Sequence, residues 1–452
     1  MDHNDVLRRL RFRASLLKIG AEGMLGVARD RATAYRYTLT GRETAPLTEF
    51  DPFATETMHD PYPGYRTLFT GPKVWYSRKR GIWIVPGYDE VWQALRDDDA
   101  LSSAESQARF RVHLQTMNAT DPPVHTRLRR SVSRAFTPRA MQSWETNINR
   151  AADELVDAMV ERGRAEIVND LAKPLPNQLI AMMLAIPQEE RHRFLEWADT
   201  INEAAFAPLN LHGMKLNMRS SKAVIATYHS LDPMIKARRA TPGDDLISML
   251  AAPSGEDTLS DDEVFWTASM LVGAGSETTT NLISGLFLTL AQRPDVYERL
   301  RKHPELIPAA IEEQLRLVSP VQGFYRTATR DYRVGEHTIP AGARVLLLFA
   351  AANRDPRHYS DPDTFDLDRN PTDHVAFGGG AHYCLGTHLT RREVNCVLTR
   401  LIPRVKEIRL DGDYRYMINA TMRGLSYLPV TLVPDTMTCD QPVAHAVAAE
   451  TG

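Results

Sequence analysis

From Ser260 to Gln292 the chain reads as one unbroken helix, and a helix of that length decides what can be built around it. Ser260-Asp261-Asp262-Glu263 is a capping box, a serine that accepts from the third residue on and an acid there that reaches back. Arg293-Pro294 closes the other end, because proline cannot continue the ladder. About 32 residues at 1.5 Å each make roughly 48 Å, so the helix must cross the whole molecule. Yet its middle is Val272-Gly273-Ala274-Gly275-Ser276-Glu277-Thr278-Thr279. Each interior glycine costs about 1 kcal/mol against alanine. Two glycines beside an acid and a run of threonines (Thr278, Thr279, Thr280) predict a bulge or widened turn where something sits against the backbone. The alternative is a helix-packing notch.

The rest of the chain supplies a body for such a helix. Apolar spacing is mostly helical from about 122 to 320, as in Trp144–Ala165 and Glu189–Ala205, and again over 386–402 before Pro403. Lys73–Ser77 and Ile82–Val85 flank Arg78-Lys79-Arg80-Gly81 and predict a hairpin; Thr327–Val334 and Val345–Phe349 read as strands. The fold class is therefore mainly α with small β-sheets. Residues 1–45 form an N-terminal extension in which Arg8, Arg9, Arg11, Arg13 and Lys18 interleave with leucines. It reads as a solvated helix packed on the body, with a membrane-surface or partner-docking helix as the alternative. One large domain occupies 46–434, and 435–452 is a small, polar, fraying tail.

A net charge of -3 over 452 residues argues against bulk electrostatic binding to nucleic acid. No run of about 18 apolar residues is present to span a membrane. Three cysteines, Cys384, Cys396 and Cys439, make a poor disulfide framework and fit a reducing cytoplasm. Cys396 reads as a buried apolar residue and Cys439 as inert.

Cys384 is different. It sits in Phe377-Gly378-Gly379-Gly380-Ala381-His382-Tyr383-Cys384-Leu385-Gly386, just before a helix. The glycines allow positive φ and close backbone approach to a flat ligand. The free N–H groups of the helix start favour a thiolate. With one sulfur and no second cysteine nearby, zinc and iron–sulfur sites are disfavoured, since both want several thiolates. A cysteine nucleophile stays open, though His382 is the sole nearby base. Haem iron with one axial thiolate fits best.

The stretch Phe377 to Gly386 resembles the haem-binding loop of the cytochrome P450 family at every position of F-G-x-G-x-H-x-C-x-G. Ala274-Gly275-Ser276-Glu277-Thr278-Thr279 resembles that family's oxygen-activating turn. Glu313-Gln314-Leu315-Arg316 is similar to its E-x-x-R motif, and Phe365-Asp366-Leu367-Asp368-Arg369 to the segment completing the triad. Asp121-Pro122-Pro123-Val124-His125-Thr126-Arg127-Leu128-Arg129 resembles the bacterial D-P-P-x-H-x-x-x-R helix start. The five matches lie in family order over about 60–434.

The resemblance implies a long helix crossing the molecule over haem b. It implies Cys384 as the iron ligand and His125, Arg129, Arg326 and His382 on the propionates. Phe377, Gly378, Gly386 and Ala274 belong to the cofactor's seat. Four residues apart, His125 and Arg129 share one helix face and can clamp a carboxylate. Glu277 and Thr278 are implied in proton delivery, since a carboxylate can relay protons and an alcohol can hold water in place. Glu313, Arg316 and Arg369 are structural.

The expected activity is insertion of one oxygen atom of O₂ into a small or medium apolar substrate, by hydroxylation or O-demethylation. Electrons are expected from a separate ferredoxin and its reductase. Arg129, Arg130, Arg134, Arg391 and Arg392 would give a basic face near the cysteine for an acidic partner. A peroxide-driven enzyme and a non-catalytic haem protein are the alternatives, and neither needs the Glu277-Thr278 pair. By the family resemblance the pocket wall is expected from about 100–118, 204–218, the middle of the long helix, 318–325 and 417–425. Its apolar members include Phe110, Phe206, Leu209, Leu271, Val321, Phe324 and Met422, and its polar ones Ser102, Ser103, Arg109, Arg111, His113 and Gln322. The segments 319–326 and 419–425 are similar to bacterial members that oxidise small para-substituted aromatic acids. Ala104-Glu105 departs from them where an arginine is expected after the serine pair.

Overall fold

The computed structural model describes residues 3–40, 45–109, 111–205, 211–253, 255 and 257–435. Phe110, Phe206, Leu209 and Cys439, singled out above, lie outside them, as does the tail after 435. Among the described residues no helix is long and apolar enough to cross a membrane.

The central helix is Asp261–Gln292. Ser260 accepts from the Glu263 N–H at 3.2 Å, and the Glu263 carboxylate accepts from the Ser260 N–H at 2.8 Å. Its two halves serve different cores. Leu282–Leu290 packs with the helices Pro138–Arg162 and Thr387–Leu401, through residues such as Val156, Val397 and Leu401. Val264–Val272 packs with Phe194, Tyr228 and Leu231 of the helices Gln188–Ala205 and Leu211–Ala240. The turn 273–278 belongs to neither apolar cluster, so the glycine-bearing middle lies at the seam between two cores.

The expected bulge is not there: backbone 261–292 is regular α-helix throughout. Gly275 serves by leaving space, since an added Cβ would meet nothing within 4 Å. The glycines thin the helix here and do not break it.

The sheets are small. A five-stranded sheet runs Trp75–Ser77, Ile82–Val85, Arg344–Leu347, Phe324–Ala328, Leu101–Ser102. The predicted hairpin forms its edge, with Trp75 opposite Ile84 and Gly81 at φ 61° in the turn. Arg344–Leu347 pairs parallel to Ile82–Val85 and antiparallel to Phe324–Ala328. The stretch read as one strand over 327–334 is two, because residues 329–331 turn between Phe324–Ala328 and Tyr332–Val334.

The N-terminal residues His3–Thr40 form one helix laid on the body. Phe12, 6% exposed, stacks on Tyr228 at 4.1 Å and meets the Phe265 edge at 5.3 Å. Tyr37 meets Tyr76 at 6.4 Å.

Candidate active site

The cysteine loop is held by its own backbone. The Cys384 N–H donates to Phe377 O at 2.9 Å, while Gly378 and Gly380 take φ of 70° and 63°. A Cβ on Gly380 would lie 2.0 Å from Leu95 O, so no side chain fits there. The helix Thr387–Leu401 starts just beyond, with Gly386 as its N-cap. Cys384 lies deep in the molecule yet keeps some accessible surface. Burial pushes its thiol up, against the pull of the Gly386 N–H and of Arg129 and Arg391. A bound metal ion would reverse that balance, because a coordinating thiol is deprotonated outright.

Around this loop stands a set of donors in search of an anion. His125 is 2% exposed and its Nε2 has no hydrogen-bond partner. Its ring lies 4.3 Å from that of His382, whose Nε2 is equally buried and partnerless. Burial, Arg326, His125 and Arg129 together hold the His382 imidazole far below the usual histidine range, so it is neutral. Arg326 is 2% exposed, donates to Tyr325 O at 3.0 Å and is pushed down to about 10 by burial. Arg129 donates to Tyr383 O at 2.7 Å. Buried polar groups ordinarily find partners, and buried cations ordinarily find anions. This set fits the carboxylates of an iron porphyrin: two cationic forks and two imidazole N–H groups could hold two propionates while Cys384 reaches the metal.

Above the seam, Ala274 is exposed and Glu277 and Thr278 are half-buried, in a helix whose flanks are sealed. The widened turn predicted for Thr278 is absent, so its hydroxyl donates to Ala274 O at 2.8 Å as in an ordinary helix. That leaves the oxygen free to act as an acceptor. Burial raises the Glu277 carboxyl above its usual range; the Asp199 charge adds to this and Lys173 opposes it. Lys173 and Asp199 pair at 2.7 Å and are each 43% exposed, so Glu277 lies between the interior turn and a surface ion pair. The sequence carried no signal for that pair, which comes from two other segments. The Thr279 hydroxyl meets that of Thr390 at 3.2 Å and ties the central helix to the cysteine helix.

The E-x-x-R network supports the loop from behind. Glu313 and Arg316, both fully buried, form a two-pronged pair at 2.8 Å. Arg316 also donates to Asn353 O, Pro362 O and Thr364 O, and Arg369 reaches Glu313 at 3.2 Å. Asn353 in turn accepts from the Val375 N–H at 2.8 Å, two residues before Phe377. A cleft of about 350 Å³ beside this network, lined by Arg293, Arg299, Asp366 and Arg369, is a surface depression remote from the loop, and its arginines are paired.

Several polar candidates for the pocket wall are spent elsewhere. Arg109 and Arg111 pair with Asp30, Arg111 also with Glu105, and His113 with Glu22. Ser102 donates to Asp121, and Gln322 accepts from the Tyr65 hydroxyl at 2.6 Å. On the cysteine side, Arg130, Arg391 and Arg392 are paired with Asp257, Glu312 and Glu145, so that face is less basic than the sequence alone suggests.

Comparison with known proteins agrees with this geometry. The family model described as Cytochrome P450 matches residues 71–406. The beta-dihydromenaquinone-9 omega-hydroxylase of Mycobacterium tuberculosis is 38% identical over 406 residues, 88% of this chain and 82% of that protein. The structure of CYP109Q5 from Chondromyces apiculatus matches at TM-score 0.77 and 30% identity, covering 85% of this chain and 98% of that one. The structure of CYP109E1 from Bacillus megaterium in complex with corticosterone matches at TM-score 0.76 and 32% identity, covering 83% and 99%. Sequence, fold and relatives converge, and the chain belongs to the cytochrome P450 family of haem-thiolate monooxygenases.

Proposed function

We propose that this enzyme hydroxylates or O-demethylates neutral, apolar organic molecules. It takes two electrons from a separate ferredoxin and reductase and works in the cytoplasm, with residues 46–434 carrying haem b. The observation that carries the substrate class is the pairing on the expected pocket wall. Arg109, Arg111 and His113 each already face a carboxylate of this chain, which leaves no spare cation for an acidic substrate among the described residues of 100–118. The aromatic acids suggested by 319–326 and 419–425 are therefore disfavoured, and Glu105, where an arginine would be needed, is tied to Arg111 and Thr327. Relatives named for a menaquinone and bound to corticosterone extend the expected size range above a single ring.

When bound through Cys384, the haem supplies oxygen activation, with the thiolate pushing electron density toward the iron. This chain's residues do the rest. His125, Arg129, Arg326 and His382 would hold the propionates. Glu277, its carboxyl raised above the usual range by burial, passes protons inward from the Lys173–Asp199 pair. Thr278, its proton spent on Ala274 O, offers an acceptor that would orient water beside Glu277.

The test is a spectral titration of matched pairs, each a neutral apolar molecule and its carboxylic acid, reading displacement of water from the ferric iron. Neutral members should bind at least as tightly as their acids. Binding confined to the acids would overturn the substrate class. Product formed as well with peroxide alone as with the ferredoxin system would favour a peroxide-driven enzyme.

A further inference from the structure

The N-terminal helix does more than rest on the body: between Glu22 and Asp30 it runs along the loop 105–113. Glu22 accepts from the His113 N–H at 3.2 Å. A Cβ on Gly26 would lie 2.9 Å from Arg111 Cβ, so the helix approaches the loop as closely as a glycine allows. Asp30, 3% exposed, takes Arg109 Nη1 at 2.5 Å on one oxygen and Arg111 Nε at 2.6 Å on the other. The two arginines then grip the frame: Arg109 donates to Arg80 O and Arg111 to Gly342 O, each at 2.7 Å. A third cation, Arg344, 1% exposed, donates to Ser106 O at 2.6 Å and to Ala108 O in the same loop.

This cluster holds three cations, Arg109, Arg111 and Arg344, against two carboxylates, Asp30 and Glu105, and the more exposed Arg29 adds a further cation on Glu105 at 3.1 Å. Arg344 is pushed down to about 9, by burial first and by Arg111 next, with Asp30 and Glu105 pulling the other way. Removing the Asp30 charge would leave these three cations facing one carboxylate, all attached to or gripping one loop. Like charges in a poorly screened site repel strongly. The loop carrying Arg109 and Arg111 can relieve that repulsion by moving outward; Arg344, on a central strand of the sheet, cannot.

From this we infer that Asp30 is a positioning residue that sets the size limit of the substrate pocket by clamping the loop 105–113 from outside. The inference rests on the reading of that loop as pocket wall. It assigns a specificity role to the N-terminal helix, which touches neither the cysteine loop nor the central turn in any contact described above. A merely structural role would lower stability and change all ligands alike. A clamp changes access in proportion to ligand bulk.

The experiment uses full-length holoprotein and two nitrogenous iron ligands, imidazole and 4-phenylimidazole, with association rates followed by haem absorption. In Asp30→Asn the rate for 4-phenylimidazole should rise about three-fold or more while that for imidazole stays within roughly two-fold, the pattern of a loop that opens more often. Asp30→Asn with Arg109→Met restores the cluster's charge excess and should move the ratio back toward that of the unaltered protein. Gly26→Ala, which displaces the helix without unpairing a charge, should raise the ratio in the same direction even if Asp30→Asn does not accumulate. An unchanged ratio in Asp30→Asn or, where that variant fails to fold, in Gly26→Ala overturns the clamp, given an intact red-shifted carbon monoxide band. Absence of that band in the unaltered protein would instead overturn the haem-thiolate site itself.

Discussion

Arg316→Met is the perturbation whose cost can be worked most directly from the structure. It removes both prongs of the pair from the Glu313 carboxylate at 0% exposure and leaves it only Arg369 and the Asp366 N–H, a loss that typically costs about 3–5 kcal/mol. It also removes the donor from Asn353 O, Pro362 O and Thr364 O, at about 1 kcal/mol each. The total of about 6–8 kcal/mol is comparable with the whole stability of a typical domain, about 5–15 kcal/mol. The variant should therefore fail to accumulate as folded holoprotein. Arg369→Met gives up one bond of 3.2 Å to Glu313 and two carbonyl contacts, so it should cost only about 2–3 kcal/mol. Glu313→Leu combined with Arg316→Met removes both charges and should recover a large part of the loss, because a buried pair often costs little more than apolar packing. Urea unfolding followed by tryptophan fluorescence, with haem absorbance as a second probe, would rank the three. A loss below about 2 kcal/mol for Arg316→Met, or a double variant no better than the single, would refute the argument that the buried charge depends on Arg316.

Replacing Cys384 with His should abolish the red-shifted absorption of the reduced carbonyl complex even if haem is retained; persistence of that band would move the ligand elsewhere. Thr278→Ala should lower product per NADH several-fold and raise hydrogen peroxide, while Thr278→Ser keeps the acceptor and stays coupled. The scale for such proton-transfer groups runs to about 10²–10⁴-fold, and water can replace much of it. Glu277→Gln should slow turnover itself. It should also stabilise the fold at high pH. The folded carboxyl binds its proton more tightly than the unfolded one, so its contribution to stability is present at low pH and lost as pH rises through the folded value. The gain in Tm should thus appear at about pH 8 and vanish at about pH 4; equal Tm values throughout would mean that Glu277 is better solvated than its burial indicates.

What could be read from the sequence was local chemistry. The capping box of Ser260 and Glu263, the hairpin around Gly81 and the cysteine loop are each written in fewer than a dozen consecutive residues. The polar groups around the site are not. Lys173 and Asp199 reach Glu277 from other segments, and Asp30 meets Arg111 across 81 residues of chain. No periodicity marks such pairs, since each residue alone is an ordinary surface charge. Thr278 shows the opposite failure. Two glycines spoke for a distorted turn, but packing on both flanks keeps the helix regular and sends the hydroxyl back to Ala274 O.

The contact between Thr279 and Thr390 has a mechanical consequence. It acts as a pivot between the central helix and the cysteine helix, about 1.5 Å along the axis from Thr278 and about 27 Å from Asp261. A tilt of about 5° around it would swing the first turn by roughly 2.4 Å and shift Thr278 by only about 0.1 Å. The helix is a lever with its fulcrum beside the acid and the alcohol. The end packed against the helices 188–205 and 211–240 can give way to an incoming molecule while the proton-handling groups stay still.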